Sequence, residues 1–181
     1  KTQASNAFYL DNSAPTITIG TNGNSTYAKT ASTTITASDP HVGLSTLKYA
    51  VSTSKTPAAS EYVTLTSGGT VTISGKTGIY YISVEACDSL GNCNTTVSNP
   101  YYLDNGIPII TFNPNGNTAY AKSRTTTVNV NANTGDINTI KYVVSNKSTD
   151  SASSGTTLTN GGTVTISGVT GLYYVIVEAC D

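Results

Sequence analysis

The residues best suited to chemistry in this chain are three cysteines, a single histidine and ten acidic residues. Cys87 and Cys93 flank the segment DSLGN, and Cys180 repeats the position of Cys87 in a second copy of the phrase VEACD. Two neighbouring thiols can form a disulfide or bind a metal, and one can act as a nucleophile beside a histidine. His41 is distant in sequence, which leaves too few ligands for a Cys/His metal site.

Cys87 and Cys93 are expected at the mouth of one β-hairpin, where a disulfide would join the sixth strand to the seventh. Metal binding and a catalytic thiol compete with this interpretation, but no histidine repeats with the cysteines. Closing so short a loop removes little entropy from the unfolded chain, so we expect the bond to resist hairpin opening under tension or proteolysis. A disulfide also indicates a location outside the reducing cytosol.

Composition excludes several classes of function. The net charge is −1 and charged residues make up 10% of the chain, so a basic surface for nucleic acid is not expected. No apolar run approaches the roughly 20 residues that a membrane helix requires. Catalytic triads, paired-acid clefts and phosphate loops are not found, so we expect no enzyme and no cofactor. The chain contains no methionine, which suggests a processed or excised piece of a longer protein.

The chain is an internal repeat with a period of 93 residues, as from Tyr9 to Tyr102. The phrase YLDN occurs at both places, and GGTVTISG occurs at Gly68–Gly75 and again at Gly161–Gly168. A constant offset indicates two copies of one folded unit. We therefore expect a first domain at 11–104 and a second, incomplete domain at 105–181.

The periodicity within each unit is two, which is typical of strands with one buried face. In the first unit it predicts seven strands separated by turn residues: Thr16–Ile19, Thr33–Ala37, Leu47–Val51, Tyr62–Leu65, Thr70–Ser74, Tyr80–Cys87 and Asn94–Leu103. Seven short strands and no amphipathic helix predict an all-β fold of tandem immunoglobulin-like β-sandwiches.

The chain resembles the bacterial immunoglobulin-like domains that form tandem repeats in large cell-surface proteins. The YLDN-x-x-P entry, the G-x-YY-x-x-V-x-A-x-D strand and the D-x-x-GN turn carry this resemblance over essentially the whole chain. It implies the fold more firmly than any particular binding activity.

The same alternation of inward and outward residues in both units predicts the positions of several side chains. Tyr80 and Tyr173 begin the sixth strand on its inward face and are expected to form a tyrosine corner, with simple core packing as the alternative. On the outward faces of the third and sixth strands we expect two cross-strand ion pairs, each worth about 0.2–1 kcal/mol: Lys48 with Glu85, and Lys141 with Glu178. An isopeptide bond would need a buried lysine, which the outward alternation disfavours.

Oxygen ligands collect where one unit meets the next. Cadherins bind calcium at such junctions with a related element, so a junction calcium site is a second hypothesis. Turn formation by Asp and Asn explains the same residues without a metal. The candidate ligands are Asp11, Asp104, Asn105, Glu85 and Asp88.

The two ends of the chain are complementary in the repeat. Residues 1–10 match the last strand of the first unit, TQASNAFYLDN against TTVSNPYYLDN, whereas the second unit lacks that strand and a partner for Cys180. Cys180 is therefore expected to be unpaired. Either the chain is a window from a longer array, or residues 1–10 act as a donor strand that fills the groove of a neighbouring copy.

These features favour a structural module of an extracellular, secreted or cell-surface fibre, stalk or adhesin, whose partners are adjacent repeats or copies of itself. The alternative is an adhesion module that binds a host glycan or protein through polar loops. Tyr81, Tyr101 and Tyr174 are expected to be exposed and could supply aromatic contacts for such binding.

Overall fold

A computed structural model describes residues 1–132 and 134–181 and divides them into two compact units, Lys1–Asn105 (unit 1) and Gly106–Asp181 (unit 2). Both units are built from antiparallel strands, and a single 3-10 turn at Ala59–Glu61 is the one short helical element in the secondary structure of the described residues. None of these residues forms a helix with the length and apolar composition needed to cross a membrane.

Unit 1 contains eight strands in two sheets. One sheet has the order β1-β2-β5, and the other has the order β4-β3-β6-β7 with β8 also paired to β6. This is an immunoglobulin-like β-sandwich whose short fourth strand joins the sheet of the third. The strands are β1 (Thr16–Ile19), β2 (Thr30–Ser38), β3 (Leu44–Ser52), β4 (Val63–Thr64), β5 (Gly69–Ser74), β6 (Gly78–Asp88), β7 (Cys93–Val97) and β8 (Tyr101–Leu103).

Unit 2 repeats this arrangement with six strands, in the orders β13-β10-β9 and β12-β11-β14. Its described residues contain no counterpart of β7 or β8. The strands are β9 (Ile109–Asn113), β10 (Ser123–Asn131), β11 (Thr139–Ser145), β12 (Thr156–Thr157), β13 (Thr163–Ser167) and β14 (Tyr174–Cys180).

The core of each sandwich lies between its two sheets. In β2, buried Thr33, Ile35 and Ala37 alternate with exposed residues, as expected for a strand with one face toward the core. Tyr49 of β3 packs against the same core, and Tyr142 does so in unit 2. β6 departs from alternation because Ser83, on its outer face, is covered by the loop that follows β3 and donates a hydrogen bond to the carbonyl of Lys55.

The last predicted strand of unit 1, Asn94–Leu103, is two strands in the structure. It is interrupted at Ser98, whose side chain is buried and whose Oγ accepts a hydrogen bond from the backbone N–H of Ile82 at 2.9 Å. The N–H of Ser98 donates to the carbonyl of Ile82. β7 therefore pairs with the second half of β6, and β8 pairs with its first three residues.

Candidate functional site

β8 closes the open side of unit 1. It pairs with Gly78–Tyr80 at the start of β6, and on its other side it forms a parallel bridge from Leu103 to Ala28. Ala28 donates its N–H to the carbonyl of Tyr102, and Asp104 donates its N–H to the carbonyl of Ala28. Tyr101 and Leu103 are only 1% and 0% exposed, so this short strand fills a deep part of the core.

A side-chain clamp holds the middle of β8. The side-chain amide of Asn24 accepts a hydrogen bond from the N–H of Tyr102 at 2.6 Å and donates one to the carbonyl of the same residue at 3.2 Å. The ring of Tyr27 packs edge-on against the ring of Tyr102, with the centroids 5.6 Å apart. Asn24 thus satisfies the backbone of β8 in the way that a neighbouring strand would. Sequence analysis missed this residue, although Asn117 repeats it 93 residues later.

Unit 2 has a cavity of about 720 Å³ at the corresponding place, and we call it the unit 2 groove. Its walls combine strand residues of both sheets with the loop before β10. Among its apolar lining residues are Phe112, Tyr120, Val164, Ile166, Leu172 and Val175. Because β8 has no counterpart among the described residues of this unit, Leu172 is 71% exposed and Tyr120 is 87% exposed.

Without a counterpart of β8 among the described residues, the neighbouring strand is also shorter. β6 begins at Gly78, whereas β14 begins at Tyr174, three residues after Gly171, the counterpart of Gly78. Residues 171–173 lie outside β14. Their counterparts in unit 1, residues 78–80, are the ones that pair with β8. Both glycines keep the same positive-φ backbone conformation, with φ of 118° and 122°, which favours glycine at this position of the repeat.

Arg124 binds a side-chain oxygen that corresponds to one of the groups holding β8 in unit 1. Its guanidinium donates to Oδ1 of Asn117 at 3.2 Å and to the carbonyl of Ala119 at 2.9 Å. In unit 1 the counterpart of Arg124 is Ala31, which packs against the core. The Asn117 oxygen, which corresponds to the Asn24 oxygen that binds β8, is therefore already engaged.

Residues 1–10 form no strand in the structure. The three large side chains of Phe8, Tyr9 and Leu10 are 84%, 95% and 84% exposed. The expected strand is absent because nothing pairs with its backbone here. Three consecutive exposed apolar residues form an unusual surface feature for a folded domain.

Cys87 and Cys93 are joined in a disulfide and are also directly opposite each other in the pairing of β6 with β7. The bond therefore clamps the hairpin, as the sequence predicts. Cys180 at the end of β14 is free and exposed.

The predicted ion pairs do not form among the described residues, although the strand pairing behind them is correct. Lys48 lies opposite Glu85 and Lys141 lies opposite Glu178. The ammonium group of Lys141 instead donates a hydrogen bond to the carbonyl of Ser153 at 2.7 Å. Long, solvated side chains gain little from pairing, so such alternatives compete effectively.

The hydrogen bond expected of a tyrosine corner is made by a different residue. Tyr80 is half-buried against the core, and its counterpart Tyr173 lines the unit 2 groove. Within the described residues, the tyrosine hydroxyl that donates to distant backbone is that of Tyr101, which bonds to the carbonyl of Thr21. Tyr101 was expected to be exposed, and this was wrong because the break at Ser98 shifts the alternation of β8.

The five proposed junction ligands are not gathered into one site, although Asp88 lies close enough to Asp11 for its charge to oppose the lowering of the Asp11 pKa. Glu85 lies in mid-strand, and the side-chain amide of Asn105 donates to the carbonyls of Lys29 and Lys76. Asp104 forms interactions of its own. Asp11 is instead grouped with Asp39 and His41, two residues that sequence analysis did not connect with it.

Asp88 organises the turn between β6 and β7. Its Oδ1 accepts the backbone N–H groups of Leu90 and Asn92, both at 2.8 Å, and its Oδ2 accepts the side-chain amide of Asn92. Burial alone would raise the pKa of Asp88, but these hydrogen bonds outweigh it and lower the pKa below its usual value. The Asp88 carboxylate is therefore a structural element of the disulfide hairpin.

Comparisons with known proteins leave the family open. No protein-family model matches the chain, and no curated protein matches it. A solved structure described as "Structures of Clostridium thermocellum CbhA fibronectin(III)-like modules" is similar over 91% of this chain and 85% of that chain, with 16% sequence identity and a TM-score of 0.36. A similarity this low carries no argument, so the fold assignment rests on the strand order described above.

Proposed function

We propose that this chain is a structural immunoglobulin-like repeat module of an extracellular surface fibre, stalk or adhesin, and that its copies join head to tail by strand complementation. The observation that carries the proposal is the position of β8. This strand fills unit 1, the unit 2 groove lacks it, and residues 1–10 repeat its sequence.

The match can be followed residue by residue from the contacts of unit 1. A donor strand in the same register would place Phe8 at the position of Tyr101 and Leu10 at the position of Leu103. Tyr101 and Leu103 are fully buried in unit 1. Ser5 would take the position of Ser98, whose hydroxyl binds the backbone of β6. Burying side chains of this size stabilises a complex by roughly 1.5–3 kcal/mol each.

The geometry of such a contact favours a fibre. The donor strand belongs to unit 1 of one copy and the groove belongs to unit 2 of another, so the two surfaces differ. A heterologous contact of this kind leaves a free groove and a free strand at the ends, and it propagates unless the chain closes into a ring. Residues Asp11 and Asn12 would then join the two copies as Asp104 and Asn105 join the two units within one chain.

The extracellular assignment is supported by the disulfide, because such bonds persist in oxidising compartments. The structural role is supported by the resemblance of the repeat to bacterial immunoglobulin-like domains and by the low content of charged residues. Adhesion through exposed aromatic residues is a weaker alternative, since Tyr101 is buried and cannot contribute to it.

The test is light scattering coupled to size-exclusion chromatography over a wide range of chain concentrations. All samples carry Cys180→Ser, because an exposed free thiol could link chains for an unrelated reason. We expect the average mass to rise with concentration, and an excess of a synthetic peptide of residues 1–10 to return it to that of one chain. Electron micrographs of the concentrated sample should show filaments.

Matched variants separate strand insertion from general stickiness. Leu10→Ser removes the side chain at the most buried donor position, whereas Ala4→Ser changes a position whose counterpart, Val97, is partly exposed. Assembly should be lost in the first variant and kept in the second. A mass of one chain at every concentration, or equal behaviour of the two variants, would overturn the proposal.

A further inference from the structure

Two loops meet at one end of unit 1 because of strand pairing. β1 is antiparallel to β2, with Thr16 opposite Ser38, so residues just before β1 lie beside residues just after β2. This brings Asp11 to the loop that contains Asp39 and His41. The three residues lie in segments that are 28 residues apart in sequence, which is why sequence analysis did not connect them.

Each of the two carboxylates is held in place by one oxygen only. Oδ1 of Asp39 accepts the backbone N–H groups of His41, Val42 and Gly43 at 3.0, 3.0 and 3.3 Å. Oδ1 of Asp11 accepts the N–H and the hydroxyl of Ser13. These bonds fix the orientation of both groups and leave the two Oδ2 atoms for another partner.

Both Oδ2 atoms are buried and have no hydrogen-bond partner. The Asp11 side chain is only 5% exposed. A buried carboxylate oxygen without a partner is costly, and two such groups close together repel each other. A cation bound by both carboxylates would remove both penalties.

The spacing fits a single ion. One ligand atom from each of Asp11, Asp39 and His41 lies within 4.8 Å of the others. Ligands bound to one cation at about 2.0–2.4 Å are separated by at most about 4–5 Å. The Nδ1 atom of His41 is 3.7 Å from Oδ1 of Asp11 and belongs to a side chain that is 63% exposed, so it can turn toward an ion without disturbing the core.

We propose that Asp11, Asp39 and His41 bind a divalent cation of the class that accepts carboxylate and imidazole ligands together, such as Zn²⁺ or Mn²⁺. All three residues belong to unit 1, and Asp11 directly follows the donor segment 1–10. The repeat supplies an internal comparison: the residues 93 positions later are Asp104, Ala132 and Thr134, which cannot provide the second carboxylate or the imidazole. We therefore expect one ion per chain.

The experiment is isothermal titration calorimetry of the full chain with ZnCl₂, MnCl₂ and CaCl₂ in separate runs. Cys180→Ser is used throughout so that the free thiol does not bind zinc. Asp39→Asn keeps an Oδ1 acceptor for the three loop N–H groups but replaces the free oxygen with an amide nitrogen, so it should fold normally. The control is Asp136→Asn, an exposed carboxylate in the corresponding loop of unit 2.

We expect one Zn²⁺ or Mn²⁺ per chain, an affinity loss of at least about tenfold in both Asp39→Asn and His41→Ala, and no change in Asp136→Asn. Circular dichroism melts without metal check that the variants are folded. The proposal would be overturned by the absence of saturable binding or by binding that survives Asp39→Asn. Calcium binding that is tighter than zinc binding and unaffected by His41→Ala would overturn the role of the imidazole.

Discussion

The hydroxyl of Tyr101 donates a hydrogen bond to the carbonyl of Thr21, a residue 80 positions earlier in the chain. This bond connects the last strand of unit 1 to the loop that follows its first strand. The beginning and the end of the repeat are therefore fixed to each other in unit 1. In unit 2, whose described residues include no counterpart of β7 or β8, Val177 and Ala179 are half-buried, whereas Val84 and Ala86 in unit 1 are fully buried.

The first prediction concerns the strand that completes unit 1. Leu103→Ala should lower the free energy of unfolding of this unit by about 2–5 kcal/mol, because a fully buried leucine is replaced and a cavity remains. Leu10→Ala, the same change 93 residues earlier, should leave the unfolding of the dilute chain within about 0.5 kcal/mol, since Leu10 is exposed. Urea denaturation at low concentration measures both values, and similar losses would contradict the assignment of residues 1–10 as unengaged.

The second prediction concerns the competition inside the unit 2 groove. Arg124→Ala should strengthen binding of a fluorescent peptide of residues 1–10, because the side-chain oxygen of Asn117, the counterpart of the Asn24 oxygen that binds β8, would lose a competing donor. Each hydrogen bond gained contributes about 0.5–1.5 kcal/mol, so an increase in affinity of a few-fold to about tenfold is expected. Fluorescence anisotropy gives the affinity. Arg124→Lys, which keeps the positive charge, tests whether charge alone is responsible.

The constant offset of 93 residues between the units was sufficient to predict much of the fold. β2 and β10 correspond residue for residue, as do β4 and β12, and the expected pairing of the third and sixth strands is confirmed by Lys48 opposite Glu85. Within strands, a period of two and a constant offset leave little freedom in the register.

Features that depend on tertiary contacts were not predictable in the same way. The turned-in side chain of Ser98 breaks the last strand and reverses the expected exposure of Tyr101, and nothing in the alternation indicates it. The approach of Asp11 to Asp39 follows from the pairing of β1 with β2, and the loops themselves carry no signal of it. The predicted salt bridges do not form among the described residues. Strand register fixes which two Cα atoms lie opposite each other, but it does not determine which group a long side chain contacts.

The third prediction concerns the disulfide. Replacing Cys87 and Cys93 with serine should lower the free energy of unfolding of unit 1 by about 2 kcal/mol, since the bond closes a loop of only a few residues. The hairpin should also become sensitive to proteases between β6 and β7, where the unconstrained turn can open. Limited proteolysis followed by mass spectrometry locates the cut. An intact hairpin under conditions that cleave other loops would contradict the proposed clamp.

The fourth prediction concerns the stability of unit 1 in acid. The folded state lowers the pKa of Asp88 below its usual value, which means that the carboxylate form stabilises the fold. That stabilisation is fully present above the unfolded pKa and is lost as the pH falls through the lower, folded pKa. Thermal melts should therefore show little change from pH 7 to about pH 5, followed by a decline below about pH 4. In Asp88→Asn this decline should be smaller, because the amide retains an oxygen for the N–H groups of Leu90 and Asn92 but does not titrate.

The control is Glu61→Gln, which removes an exposed carboxylate of the same unit. An equal reduction of the acid decline in both variants would show that Asp88 has no special role.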